Sequence, residues 1–79
     1  MNAAGFSQYD VVRVLRLPDV TQPSGEAFDL RSPQVGDVAT IIEIYADPPG
    51  VELECCYANG ITQWLAAFRF QDVLLELVK

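Results

Sequence analysis

The sequence predicts an all-β domain, a small barrel of five short strands. Three observations carry that expectation. Residues 35–45 read Val-Gly-Asp-Val-Ala-Thr-Ile-Ile-Glu-Ile-Tyr, a glycine–aspartate turn opening into β-branched and aromatic residues. Residues 51–57 alternate strictly between apolar and polar or small side chains. Between and after these runs stand Asp47-Pro48-Pro49-Gly50 and Asn59-Gly60, residues that fix or reverse φ and so turn the chain.

The chain has 79 residues, enough for one domain with a small, dense core. Hydrophobic residues make up 51% and charged residues 20%, which is rich enough to fold without a metal or a disulfide and to leave apolar surface for a partner. The net charge is −6, and the basic residues Arg13, Arg16, Arg31, Arg69 and Lys79 form no block. Nucleic-acid binding needs a positive stripe to neutralise phosphates, so this composition argues against it. Membrane attachment is not expected either, because no apolar run approaches about 18 residues and residues 1–10 lack a basic, then apolar, leader pattern. Cys55 and Cys56 are adjacent and would point to opposite faces of a strand, so they cannot pair with each other; free thiols suit a cytoplasmic setting.

In chain order, residues 1–8 are small and polar apart from Phe6 and are expected to form a flexible N-terminal segment, with the barrel spanning 9–79. Residues 9–17 form the first expected strand. Val12 and Val14 share one face; Val11, Leu15 and Leu17 share the other with Arg13, the pattern of a central or covered strand. Residues 18–33 hold three prolines and a Ser-Gly pair and read as a long first loop, with Phe28 and Leu30 able to pin its second half. In the second strand Val38, Thr40, Ile42 and Ile44 are expected to face the core, leaving Ala39, Ile41, Glu43 and Tyr45 outside. In the third strand Val51, Leu53, Cys55 and Tyr57 face in, and Glu52, Glu54 and Cys56 face out. Asn59-Gly60 favours a type I′ hairpin turn. The fourth strand, 61–70, puts Trp64, Ala66, Phe68 and Phe70 on one face, and Trp64 and Phe68 are expected in the core. A 3₁₀ turn at 71–73 leads to a last strand over 74–78. A helix over 64–77 is the competing reading, since Leu65, Phe68, Asp72 and Leu75 recur near helical spacing.

Five such strands with a long first loop, a tight hairpin and a 3₁₀ turn before the last strand describe an SH3-like barrel. The run Gly36-Asp37-Val38-Ala39-Thr40-Ile41-Ile42-Glu43-Ile44-Tyr45 also resembles the signature of a small uncharacterised bacterial domain-of-unknown-function family: glycine, two residues, then Gly-Thr-Val-Val-Glu-Val-Tyr. Leu53-Glu54-Cys55 is similar to its Val-Glu-Phe-like strand, Asn59-Gly60 to its hairpin turn, Tyr9-Asp10-Val11-Val12 to its opening and Gln71-Asp72-Val73-Leu74 to its close. Ala39 stands where the family has a second glycine, and Cys55 where it has phenylalanine. The resemblance covers residues 9–77. It implies an SH3-like barrel of bacterial origin, carried on mobile gene cassettes, and implies no activity.

No catalytic residue is expected. The chain has no histidine, its lone lysine is Lys79, and its five glycines form no phosphate-cradling loop. Cys56 sits beside Glu52 and Glu54, the wrong partners for a nucleophilic thiol. The acidic set Asp47, Glu52 and Glu54 lacks the spacing of a calcium loop, and no metal or cofactor is expected. The chain therefore reads as a non-enzymatic protein- or peptide-binding module that uses its acidic surface and the 18–33 loop, with Glu52, Glu54 and Tyr45 as candidate contacts for a basic partner. It is expected to self-associate as a homodimer or larger homo-oligomer through Val11, Leu15, Ile41, Tyr45 and Leu75, because a small barrel has one interior and these apolar residues exceed it. The alternative is a small-ligand site or enzyme at the subunit interface, lined by Tyr45, Cys56 or Trp64.

Overall fold

The computed structural model describes residues 5–18, 30–56 and 58–78. Most of the expected loop at 18–33, with Phe28, and also Tyr57 lie outside the described residues. Five strands follow one another: β1 (Val11–Arg16), β2 (Val38–Ala46), β3 (Pro49–Cys56), β4 (Thr62–Arg69) and β5 (Leu74–Leu77). They form one antiparallel sheet in the order β4-β3-β2-β1-β5. This is a meander whose last strand returns beside the first, and it curls around a single core as in an SH3-like barrel. The rival helix over 64–77 is not formed. Trp64, Ala66 and Phe68 are buried at a period of two, which only a strand delivers.

β1 is an interior strand of the sheet, with β2 on one side and β5 on the other. Val12 and Val14 are fully buried, while Val11 and Leu15 are 40% and 41% exposed. β2 departs from expectation. Ala39 and Ile41 are buried, and Val38 is exposed. The register against β3 slips between Ile41 and Glu43, so Ile42 is an extra, bulged residue. A bulge shifts the side-chain phase by one. Ala39 and Ile41 therefore face the core before it, and Ile44 packs against the core after it. The bulge bends β2, whose first half pairs with β1 and whose remainder runs along β3. Ile41 and Leu75, expected as oligomer contacts, are thus core residues, at 0% and 9% exposure. Neither can reach a second chain.

The connections follow local chemistry. Gly36 takes φ +98°, which glycine adopts at little cost, within the turn closed by the Asp37 amide donating to the Gln34 carbonyl at 3.1 Å. Gly50 was read as a turn glycine but lies in β3, where a Cβ would collide with the carbonyl oxygen of Phe68 on β4. The turn after β3 is not type I′. Only Gly60 of the pair has positive φ, and the Asn59 side chain accepts from the Ile61 amide at 3.1 Å. Before β5, the Asp72 amide donates to the Arg69 carbonyl at 2.9 Å, a single i→i+3 turn.

Of the segment expected to be flexible, residues 1–4 lie outside the described residues, and residues 5–8 depart from that expectation. Residues 5–8 are held to the barrel. Phe6 is buried and stacks on Phe70 with ring centroids 6.1 Å apart. The Tyr9 amide donates to the Ile41 carbonyl at 2.6 Å, and Gln8 Nε2 donates to the carbonyl of the bulged Ile42 at 2.9 Å. This side chain satisfies a carbonyl that the bulge removes from the ladder.

Candidate functional site

β-sheet alternation divides β3 and β4 cleanly. Val51, Leu53 and Cys55 point inward with Trp64, Ala66 and Phe68. Glu52, Glu54, Leu65, Ala67 and Arg69 are left on the outer face, with Glu54 opposite Leu65, Glu52 opposite Ala67, and Arg69 opposite Gly50 and diagonal to Glu52. From β2 the outer face receives the bulged Ile42, then Glu43 and Tyr45. At one end of this face is a groove of about 380 Å³ lined by Leu30, Ile42, Glu54, Ile61, Thr62 and Leu65. Four of the six side chains are aliphatic. Leu30 and Ile61 are 59% and 54% exposed. The one ionisable group in the lining is Glu54, whose Oε2 accepts from the Thr62 hydroxyl at 2.6 Å.

Beyond the groove the face becomes acidic. Glu43 on β2 lies directly across from Glu52 on β3. Like charges placed so repel. Their partners among the described residues are neutral: Gln8 Nε2 reaches Glu43 Oε1 at 3.4 Å, and the Tyr45 hydroxyl donates to Glu52 Oε1 at 2.7 Å. That hydrogen bond, with smaller contributions from desolvation and the neighbouring Glu52 and Glu43 charges, raises the phenol above its ordinary value. The ion pairs among the described residues lie elsewhere, at Arg13–Glu76 and Arg31–Asp37.

A second polar cluster positions the groove. Arg31 donates to both carboxylate oxygens of Asp37 at 2.9 Å, and its Nε donates to Gln63 Oε1 at 2.6 Å. Asp37 Oδ2 also accepts from the Gln34 amide at 2.8 Å and from the indole N–H of the buried Trp64 at 3.0 Å. Burial pushes the Asp37 carboxyl up, but these donors and the Arg31 charge outweigh it and hold the group below its ordinary value. The Leu30 amide donates to the Gln63 carbonyl at 2.6 Å. The cluster thus clamps residues 30–37 against β4 and sets Leu30 at the rim of the groove.

Of the candidate partner contacts, Glu54 lines the groove, and Glu52 and Tyr45 lie further along the same face. Val11 and Leu15 are exposed on the outer side of β1. Trp64 is fully buried and cannot line an open ligand site, whereas Cys56 is exposed. Cys55 Sγ lies 3.8 Å from Arg31 Nη2, and burial first, then the Asp37 charge, pushes its thiol up. Sequence reasoning missed Leu30, Ile42, Ile61, Thr62 and Leu65 as one surface. Its available signal was the pair Ile61 and Leu65 on the face opposite Trp64. Among the described residues, no three histidine, cysteine or carboxylate side chains are placed to hold a metal ion, and no helix is long and apolar enough to cross a membrane. No family model, curated protein or solved structure matches the chain.

Proposed function

We propose that this chain is a non-enzymatic protein-interaction module that takes a segment of a partner on the outer face of β2, β3 and β4 and that also self-associates. The observation that carries the reading is the groove between Leu30 and Leu65. It is a largely aliphatic concavity on an otherwise acidic molecule, with one carboxylate in its wall. Such a site gains free energy from apolar burial and takes its orientation from the few polar groups around it. Membership of the bacterial family that residues 36–45 resemble, carriage on a gene cassette and a cytoplasmic setting belong to the same proposal.

The test is binding of fluorescent synthetic peptides followed by anisotropy, with Leu65→Glu as control. A charge at the groove wall should weaken binding at least tenfold. Equal binding by the variant would refute the groove.

Self-association uses different residues. Val11, Leu15, Val38 and Leu74 are 40–49% exposed on β1, β2 and β5, around the half-exposed Arg13–Glu76 pair, whose atoms are 3.2 Å apart. This face carries both signs of charge on a molecule of net charge −6, so two copies can meet here with little repulsion. The small-ligand alternative loses Trp64, but an exposed Cys56 and the groove volume keep it as a second outcome of binding experiments.

A further inference from the structure

We infer that the groove and the acidic surface beside it form one site for an extended segment carrying an aliphatic side chain and, two residues away, a lysine or arginine. The inference rests on the groove being a binding site and adds the chemistry of what fills it.

The aliphatic part follows from the lining, in which Leu30, Ile42, Ile61 and Leu65 surround a space of about 380 Å³. The volume is at the low end of those that hold small ligands and accommodates one or two side chains. The cationic part follows from what lies next to it. Glu43 and Glu52 face each other across β2 and β3, and their side-chain partners among the described residues are neutral. An incoming cation would relieve that repulsion, and the 40% exposed Tyr45 ring beside Glu52 offers it an aromatic face.

The spacing follows from strand geometry. Glu54, in the groove wall, and Glu52 are two residues apart on β3, so they project from the same face about 6.8 Å apart. An extended ligand repeats that distance between its own side chains i and i+2. With an aliphatic group in the groove beside Glu54, its i+2 side chain arrives at the level of Glu52. A residue at i+1 would point away, and a single small anchor in the groove fixes the register.

The experiment compares labelled octapeptides in a common Ser/Thr background. One pair carries leucine and lysine two apart, in both orders. The others carry leucine with glutamate two apart, leucine with lysine adjacent, and alanine with lysine two apart. One order of the first pair should bind at least tenfold more tightly than the three other designs, and its advantage over the glutamate peptide should disappear in Glu52→Gln. Equal binding by all leucine peptides would overturn the charge and spacing assignment while leaving the groove reading intact. Binding by none of them would overturn both. So would amide resonances of Ile42 and Leu65 that move with protein concentration and ignore peptide, since a second copy would then fill the groove.

Discussion

Asp37 shows how much one side chain can organise. It gathers a guanidinium, a backbone amide and the indole N–H of the largest core residue. Replacing it with alanine leaves the Trp64 indole N–H without its carboxylate acceptor in the core and takes from the Arg31 guanidinium its ion-pair partner. The expected loss is about 2–4 kcal/mol of stability, measured by urea denaturation at neutral pH. Its folded-state pKa lies below the ordinary 3.8, so in acid the unfolded chain binds more protons. The carboxylate's contribution is therefore complete well above 3.8 and fades as the pH falls through the folded-state value. Asp37→Asn should flatten the acid limb of the stability–pH curve, and an unchanged limb would show that other carboxylates govern it. Gly50 is a simpler case. The alanine methyl there meets the Phe68 backbone carbonyl and should cost about 1–3 kcal/mol in the same assay. From sequence, Asp37 was readable as a turn residue because Gly36 precedes it. Its partners Arg31 and Trp64 were not, since they meet only after β4 has crossed the sheet.

At the scale of elements, the strands were legible because burial at a period of two is written into the residues. Trp64, Ala66 and Phe68 in β4, and Val51, Leu53 and Cys55 in β3, leave little choice. β2 was legible as a strand but not in its facing. Two adjacent isoleucines, Ile41 and Ile42, suit either phase, and a bulge between neighbours leaves no pattern of its own. The consequence reached function: Ile41 was assigned to an interface and is core, while Ile42 proved to line the groove. The anchoring of residues 5–8 was not legible because they contain one large apolar residue, too few for a periodicity. That residue, Phe6, is buried against Phe70. Phe6→Ala should therefore destabilise by about 3 kcal/mol in a denaturation titration, whereas a loosely attached segment would show almost no change.

Across the whole molecule, charge and apolar surface are distributed unevenly over the two outer sides of the sheet. The β1–β5 side carries Val11, Leu15 and Leu74 around a balanced ion pair, and the β3–β4 side carries the groove and two carboxylates, Glu52 and Glu54, against one arginine, Arg69. The first suits contact between copies and the second suits a different, basic partner. Light scattering at tens of micromolar should return a dimer mass or larger that Leu15→Glu with Leu74→Glu reduces to the monomer. A wild-type monomer would remove self-association and leave the groove untouched. The most direct test of the division is an amide chemical-shift titration of the protein with the leucine–lysine peptide. Resonances of Ile42, Glu54, Ile61, Thr62 and Leu65 should move together and saturate, with Val11, Leu15 and Leu74 unaffected. Shifts confined to the β1–β5 side would contradict the assignment of the partner to the groove.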